Sequence, residues 1–270
     1  MKVANKVIVV TGGGSGIGRA LVHRLVNMGA RVAAVDLNED TLKETVELAG
    51  PHKSKISIHV MSVSDQQAVE SLPQAVIDAH GAVDGIINNA GIIQPFVRMN
   101  NLGFDAIERV LNVNLYGVIY MTKAFLPHLL QRSAAHIVNV SSMGGFFPVP
   151  GQTLYGASKA AVKLLTEGLY SELTDTNVRV TVVFPGAIAT NISSNSGVNI
   201  AAAATDSAKS QSFPTTSAER AAEVIIDGME RDQFQVYIGR DAKMMNILYR
   251  LNPRFATRFM FNQMKGLLPS

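Results

Sequence analysis

The sequence predicts a single doubly wound α/β domain built on a mostly parallel sheet of about seven strands. Three observations carry this. Short apolar, β-branched runs alternate with longer stretches of helical spacing from one end of the chain to the other. Most of those runs are apolar on both faces, as strands are in a parallel sheet covered on two sides. No internal repeat and no clear linker divides the 270 residues, a length that suits one large domain or two small ones.

In chain order, VIVVTG from Val7 is the first candidate strand, and helical spacing follows from Ile17 to Met28. RVAAVD from Arg31 and ISIHVMSV from Ile56 are the second and third strands, with a helix over Asp65 to Ala79 that Asp65 is expected to cap. GIINNAG from Gly85 is the fourth strand, followed by a long helix that carries NVNLYG. HIVNVSS from His136 is the fifth, and QTLYGASKAAVKLL, Gln152 to Leu165, reads as the start of a buried helix. RVTVVFPG from Arg179 is the sixth, a helix spans Ala218 to Glu230, and QVYIGR from Gln235 is the seventh. One stretch breaks the pattern. Ile192 to Thr216 is rich in Ser, Ala and Asn, and a segment so long and uncommitted is a lid, a binding loop with short helices, or disordered. The domain is read as 1–240 with this lid, and 241–270 as a C-terminal extension.

Composition excludes several function classes. With 47% hydrophobic and 17% charged residues the chain can bury a sizeable core. It has no Cys, so disulfide and thiolate chemistry are out, which fits a reducing compartment. The apolar run in MKVANKVIVVTGGG is too short for a signal peptide, and no run approaches the roughly 18 apolar residues of a spanning helix. A cytoplasmic, soluble protein is expected. The net charge is +3, yet the segment from Arg240 carries six basic residues against one acid, Asp241, so the basic pI belongs to the tail. The main body gives no reason to expect nucleic-acid binding. The six His are scattered without metal-ligand spacing; His59 and His136 read as packed or edge residues, and no metal is expected.

The first strand runs into a glycine cluster and then a helix. Gly12, Gly16 and Gly18 have the tight-turn and close-approach spacing of a dinucleotide loop, although a glycine cluster alone fits any sharp strand-to-helix turn. Asp36 closes the second strand about 20 residues on, where a carboxylate accepts hydrogen bonds from ribose hydroxyls and repels a 2′-phosphate. Neither Ser15 nor Leu37 supplies a cation for that phosphate. NAD(H) is therefore expected over NADP(H). A nucleoside-triphosphate loop is excluded, because Arg19-Ala20 follows Gly18 in place of Lys-Ser/Thr.

Tyr155 and Lys159 lie one helical turn apart and share a face. They are either an ordinary packed pair or an acid tuned by a neighbouring charge, and spacing alone does not choose. The wider pattern does. Thr11-Gly12-Gly13-Gly14-Ser15-Gly16-Ile17-Gly18, Asn88-Asn89-Ala90-Gly91, Asn114 in NVNLYG, Ser142 thirteen residues before Tyr155, Tyr155-Gly156-Ala157-Ser158-Lys159, and Pro185-Gly186 with Ile188 and Thr190 stand in one order. Over about residues 5 to 240 this resembles the classical short-chain dehydrogenase/reductase family. One departure is Ser62-Val63, where many members carry Asp-Val beside the adenine.

The resemblance implies a Rossmann-like domain that assembles as a homodimer or homotetramer, and an NAD(H)-dependent oxidoreductase acting on a secondary alcohol or ketone. It implies a cofactor site of Gly12, Gly14, Ser15, Gly16, Ile17, Gly18, Asp36, Val63, Asn89, Ala90, Gly91, Tyr155, Lys159, Pro185, Gly186, Ile188 and Thr190. Tyr155 becomes the proton donor and acceptor, with its pKa lowered by Lys159. Ser142 holds the substrate oxygen, and Ser141 faces the other way along the strand. Asn114 holds a water that links Lys159 to solvent. Ser142 as a hydrolase nucleophile is disfavoured, since NVSSMGG lacks the Gly-x-Ser-x-Gly elbow. The alternative is a dinucleotide-binding redox sensor or scaffold without turnover.

The substrate itself is not legible. Phe96, Phe146, Phe147, Val149 and Phe213 point to an apolar pocket or to ordinary packing. In the tail, Met244, Ile247, Leu248, Leu251, Phe255 and Phe259 recur at helical spacing, broken near Pro253. Three readings stand: packing on its own domain or a sister subunit, lying on an anionic membrane surface, or folding over the substrate cleft.

Overall fold

The structure is a computed structural model that describes residues 1–190, 192–198 and 215–268. Most of the expected lid, Phe213 included, lies outside the described residues. Nine strands and ten α-helices follow in chain order among those described. They are β1 Val7–Thr11, α1 Gly16–Asn27, β2 Arg31–Asp36, α2 Glu39–Leu48, β3 Ile56–Val60, α3 Gln66–His80, β4 Gly85–Asn88 and α4 Phe104–Leu111. Then come α5 Gly117–Leu130, β5 Ala135–Val140, α6 Thr153–Glu172, β6 Val178–Pro185, β7 Ile188–Ala189 and α7 Ile192–Asn195. The chain closes with β8 Thr216–Ser217, α8 Ala218–Glu230, β9 Gln235–Ile238, α9 Arg240–Leu251 and α10 Pro253–Met264.

Seven strands form one parallel sheet in the order β3-β2-β1-β4-β5-β6-β9. They are the seven runs read from the sequence. The tiny parallel pair β7–β8 has no sequence signal and ties the segment after β6 to the start of α8. The double-faced apolar character of the strands has a direct cause. Side chains alternate across the sheet, so Ile8 and Val10 of β1 enter one core while Val7 and Val9 enter the other. On the first face α1 and α8 bring Leu21, Leu25, Ile225, Ile226 and Met229; on the second, α3, α5 and α6 bring Leu72, Val76, Met121, Phe125 and Leu169. Each such fully buried side chain contributes roughly 1.5–3 kcal/mol.

The strand order reverses between β1 and β4. Connections leave those two strands toward opposite faces, which opens a crevice at their carboxyl ends. The amino ends are closed by a charge cluster instead. Buried Asp84 accepts from the Val7 amide (3.0 Å), Arg132 Nε (2.9 Å) and Lys6 Nζ (3.3 Å). Asp65 caps α3 as the sequence expects, accepting from the Ala68 amide at 3.1 Å. His136 is fully buried, bonded to Thr181 Oγ1 at 2.8 Å, and desolvation lowers its pKa to about 3.

The tail folds back on its own domain. α9 stops at Leu251, and Asn252 caps α10, with Pro253 at its first position. Met245, Ala256 and Met260 close a small core with Phe147 of the segment after β5. The apolar stripe picked out by spacing packs only in part: Leu248 and Phe259 lie against this core. Met244, Ile247, Leu251 and Phe255 are exposed, while small Ala242 and Ala256 let the helices approach closely.

Candidate active site

The crevice at the switch point is a cleft of about 370 Å³. All the expected site residues line it except Gly14, Gly18 and Asn114, and those three act behind it. At Gly18 a Cβ would overlap the carbonyl oxygen of Gly12, so only glycine lets α1 press against the loop. Gly16 has φ +50°, and a Cβ there would touch Thr190 Cγ2 at 3.2 Å. The Gly14 amide donates to Asp36 Oδ2 at 2.9 Å, which couples the loop to the end of β2.

Two further features make this end a fit for a dinucleotide. Ser15 precedes α1 but does not cap it; its hydroxyl accepts from Asn195 Nδ2 at 2.9 Å. The first-turn amides of α1 are thus left for an anion, where the helix dipole also favours one. Asp36 accepts once at each oxygen, from Gly14 and from the Asn38 amide (3.2 Å), and keeps lone pairs for ribose hydroxyls. Among the described residues lining the cleft, Lys159 is the only cation. Nearby Arg19 is held behind the loop, bonded to the Gly14 carbonyl and paired with Glu44. Val63 lines the cleft where the family pattern continues from its acid, and Ser62 bonds to Ser64 at 2.7 Å.

Asn89 stitches β4 to β1. Its amide donates to Thr11 Oγ1 at 3.0 Å and its Nδ2 to the Thr11 carbonyl at 2.9 Å. Asn114 sits in a π-helical turn, Asn112–Tyr116, between α4 and α5. Such a turn displaces a side chain from the regular helix face and is common at functional sites. Its buried amide holds Ile92 from both sides and reaches Ser158 Oγ at 3.1 Å.

At the other end, Ser142 stands at the tip of β5. Its Oγ accepts from the Gly144 amide at 3.0 Å and makes a hydrogen bond with Tyr155. Ser141 turns the opposite way and donates to the Lys159 carbonyl at 2.7 Å. Lys159 is buried, and its Nζ donates to the Val140 carbonyl at 3.0 Å. Burial lowers its pKa to about 8. The expected lowering of the Tyr155 pKa by Lys159 is corrected here. Burial raises the phenol pKa, and the Ser142 hydrogen bond is what pulls the other way. The ammonium is aimed at Val140 and is itself drawn toward neutrality by the same burial.

Of the two readings left open for the apolar side chains, an apolar pocket or ordinary packing, the first does not hold for the four described ones. Phe96, Phe146, Phe147 and Val149 do not line the cleft. Phe147 belongs to the core under the tail, and Phe146 meets Phe184 and Tyr237 edge-on. The apolar lining comes instead from Ile92, Ile93, Val113, Ile188 and Ile192. A residue without individual sequence signal also enters: Gln94, 1% exposed, accepts from the Leu154 and Tyr155 amides. Its partners lie about 60 residues away, which no local pattern reveals. Among the described residues there is no cluster able to hold a metal ion and no helix long and apolar enough to cross a membrane.

Comparison with known proteins agrees with this geometry. Residues 6–200 match the family model described as short chain dehydrogenase. A Mycobacterium tuberculosis protein named SadH is 37% identical over 256 residues, which cover 91% of this chain and 90% of that protein. A 3-oxoacyl-(acyl-carrier-protein) reductase of Thermotoga maritima is 38% identical over 192 residues, covering 70% and 77%. A short-chain dehydrogenase/reductase from Burkholderia phymatum in complex with NAD superposes with TM-score 0.84 at 26% identity, covering 94% and 96% of the two chains. One from Burkholderia cenocepacia in complex with NADP superposes with TM-score 0.79 at 25% identity, covering 96% and 99%. Strand order, cleft and family match agree: the chain belongs to the short-chain dehydrogenase/reductase family of oxidoreductases.

Proposed function

We propose that the protein interconverts a secondary alcohol and its ketone with NAD(H). The observation that carries this reading is the convergence of Ser142, Tyr155 and Lys159 at one end of a cleft whose other end is Asp36. When bound, the nicotinamide takes up or supplies the hydride. In oxidation the alcohol hydroxyl gives its proton to the Tyr155 oxygen as the carbonyl forms; in reduction the Tyr155 hydroxyl returns it. Ser142 Oγ holds the substrate oxygen and shares its developing charge. Lys159 would hold the ribose hydroxyls of the nicotinamide half, and its position beside Gly91 supports that role. Asn114 Oδ1 also borders Gly91 and keeps one lone pair for a relay water.

Asp36, with no cation facing it among the described residues, favours NAD over NADP. Ile92, Ile93 and Ile192 favour an apolar substrate. The test is nicotinamide reduction at the NADH absorbance across alcohols from short diols to steroids and hydroxyacyl chains, with NAD+ and NADP+ in parallel. Turnover with NAD+ supports the reading. Tight NADH binding with silence across the panel opposes it, and a clear preference for NADP+ refutes the role given to Asp36.

A homodimer or homotetramer is proposed on exposed Phe104, Leu164 and Tyr170, and sedimentation at several concentrations checks the assembly. A peripheral contact of the tail with anionic lipid is proposed on exposed Met244, Ile247 and Leu251 beside Lys243 and Arg250. Sedimentation with phosphatidylglycerol vesicles supports that contact; equal partitioning onto phosphatidylcholine, or none, removes it.

A further inference from the structure

The helix that carries Tyr155 and Lys159 begins without a cap of its own. Gln152 stands at the cap position, but its Nε2 donates to the main-chain carbonyl of Gln94 at 2.8 Å. The missing acceptor comes from the same Gln94. Its Oε1 accepts from the Leu154 amide at 2.7 Å and from the Tyr155 amide at 3.0 Å. Its Nε2 donates to the Gly151 carbonyl at 3.0 Å. The two carboxamides therefore clasp the loop after β4 to the entry of α6, and Gln94 is almost wholly excluded from solvent.

The loop that presents Gln94 is itself anchored. Asn114 holds Ile92 through amide and carbonyl, and Ser196 Oγ accepts from the Ile93 amide at 3.0 Å. A side-chain oxygen on so rigid a base fixes the turn it caps. Tyr155 is the third residue of α6, so this cap sets the backbone from which the phenol projects. The first turn of an uncapped helix frays, and a reacting group displaced by about 1 Å costs up to ~10²-fold in rate.

We propose that Gln94 is a positioning residue for the acid of the reaction: its buried carboxamide caps α6 from the loop after β4 and holds Tyr155 against Ser142. This rests on the reading of Tyr155 as the proton donor. Gln94 touches neither the phosphate loop nor Asp36, so its effect falls on the chemical step more than on dinucleotide binding.

The test compares Gln94→Met, close in size but without acceptor or donor, with Gln94→Glu, whose carboxyl, protonated in this buried place, keeps an acceptor oxygen for the two amides and a donor for the Gly151 carbonyl. Gln94→Met is expected to hold NADH within about threefold of wild type while kcat falls roughly tenfold or more. Gln94→Glu is expected to recover most of that loss. Unchanged kcat in Gln94→Met, or equal losses in both variants, overturns the proposal. If Gln94→Met does not fold, Gln94→Asn withdraws the oxygen by one methylene and takes its place.

A second readout needs no turnover. The Tyr155 phenolate transition is read as the ultraviolet difference between each variant and the same variant carrying Tyr155→Phe. Fraying relieves the burial of the phenol, so in Gln94→Met the midpoint falls toward about 10, and in Gln94→Glu it stays with wild type. An unmoved midpoint in Gln94→Met contradicts the proposal. A moved midpoint in a protein that turns over no alcohol leaves the positioning intact and rejects the proposed reaction.

Discussion

Asn114 and Ile92 hold each other by a reciprocal pair of hydrogen bonds: Asn114 Oδ1 accepts from the Ile92 amide and Asn114 Nδ2 donates to the Ile92 carbonyl, each at 2.9 Å. A side chain from the π turn thus imitates a strand and continues the β4 loop beyond the sheet. Asn114→Ala leaves both groups of Ile92 without this partner in a water-poor site. It is expected to lower stability by about 2–3 kcal/mol. Urea unfolding checks this as a lower midpoint at unchanged slope.

Lys159 costs the fold stability. Its pKa falls from 10.5 to about 8, so protonation is favoured more in the unfolded chain than in the native one. The penalty is complete below about pH 8 and vanishes as pH rises through 10.5. Lys159→Met removes it. The variant is expected to be more stable by about 1–2 kcal/mol at pH 7, with the advantage fading through that alkaline window. It is expected to lose turnover throughout. Thermal melts at pH 7 and pH 10 read the sign directly.

Asp84 gives the opposite pH dependence. Burial pushes its pKa up, but the Val7 amide, Arg132 and Lys6 outweigh this and hold it below the ordinary 3.8. Its stabilisation is present above that value and is lost as pH falls through the depressed native one. Asp84→Asn is expected to destabilise by about 2 kcal/mol at pH 7 and by progressively less below pH 3.8. A denaturation series from pH 7 to pH 2.5 measures the convergence with wild type.

In the proposed reading, Asp36 and Leu37 set the cofactor preference. Asp36→Asn keeps an acceptor for the Gly14 amide while removing the charge, and Leu37 is well exposed at the cleft. The double variant Asp36→Asn, Leu37→Arg is expected to shift the kcat/KM ratio of NADP+ over NAD+ by about 10- to 100-fold. Paired kinetics with the two dinucleotides read that ratio.

The elements were legible wherever one physical rule governed a short run. Val7 to Thr11 reads as a strand because both faces of the sheet are covered, and Gly18 reads as part of a dinucleotide loop because a helix must approach a turn. Sheet order was less accessible, since crossovers such as β3-β2-β1-β4 are decided by packing between distant segments. Gln94 was illegible for the same reason: its value lies in Leu154 and Tyr155, far along the chain. The tail was legible in part: Leu248 and Phe259 of the spaced stripe do pack, whereas Met244 and Leu251 are exposed and the packed face is completed by Ala242, Met245 and Ala256. The phenol pKa misled because spacing shows Lys159 near Tyr155 but not that its Nζ is turned to Val140, that Lys159 is buried and that Tyr155 is half-buried.

The most direct measurement compares wild type with Tyr155→Phe for NAD+ reduction by an alcohol the wild type accepts, with NADH affinity measured on both. The expected result is equal NADH binding within about threefold and a kcat lower by at least ~10²-fold in the variant, the size of a lost general acid–base contribution. Turnover that survives in Tyr155→Phe contradicts the role given to the phenol.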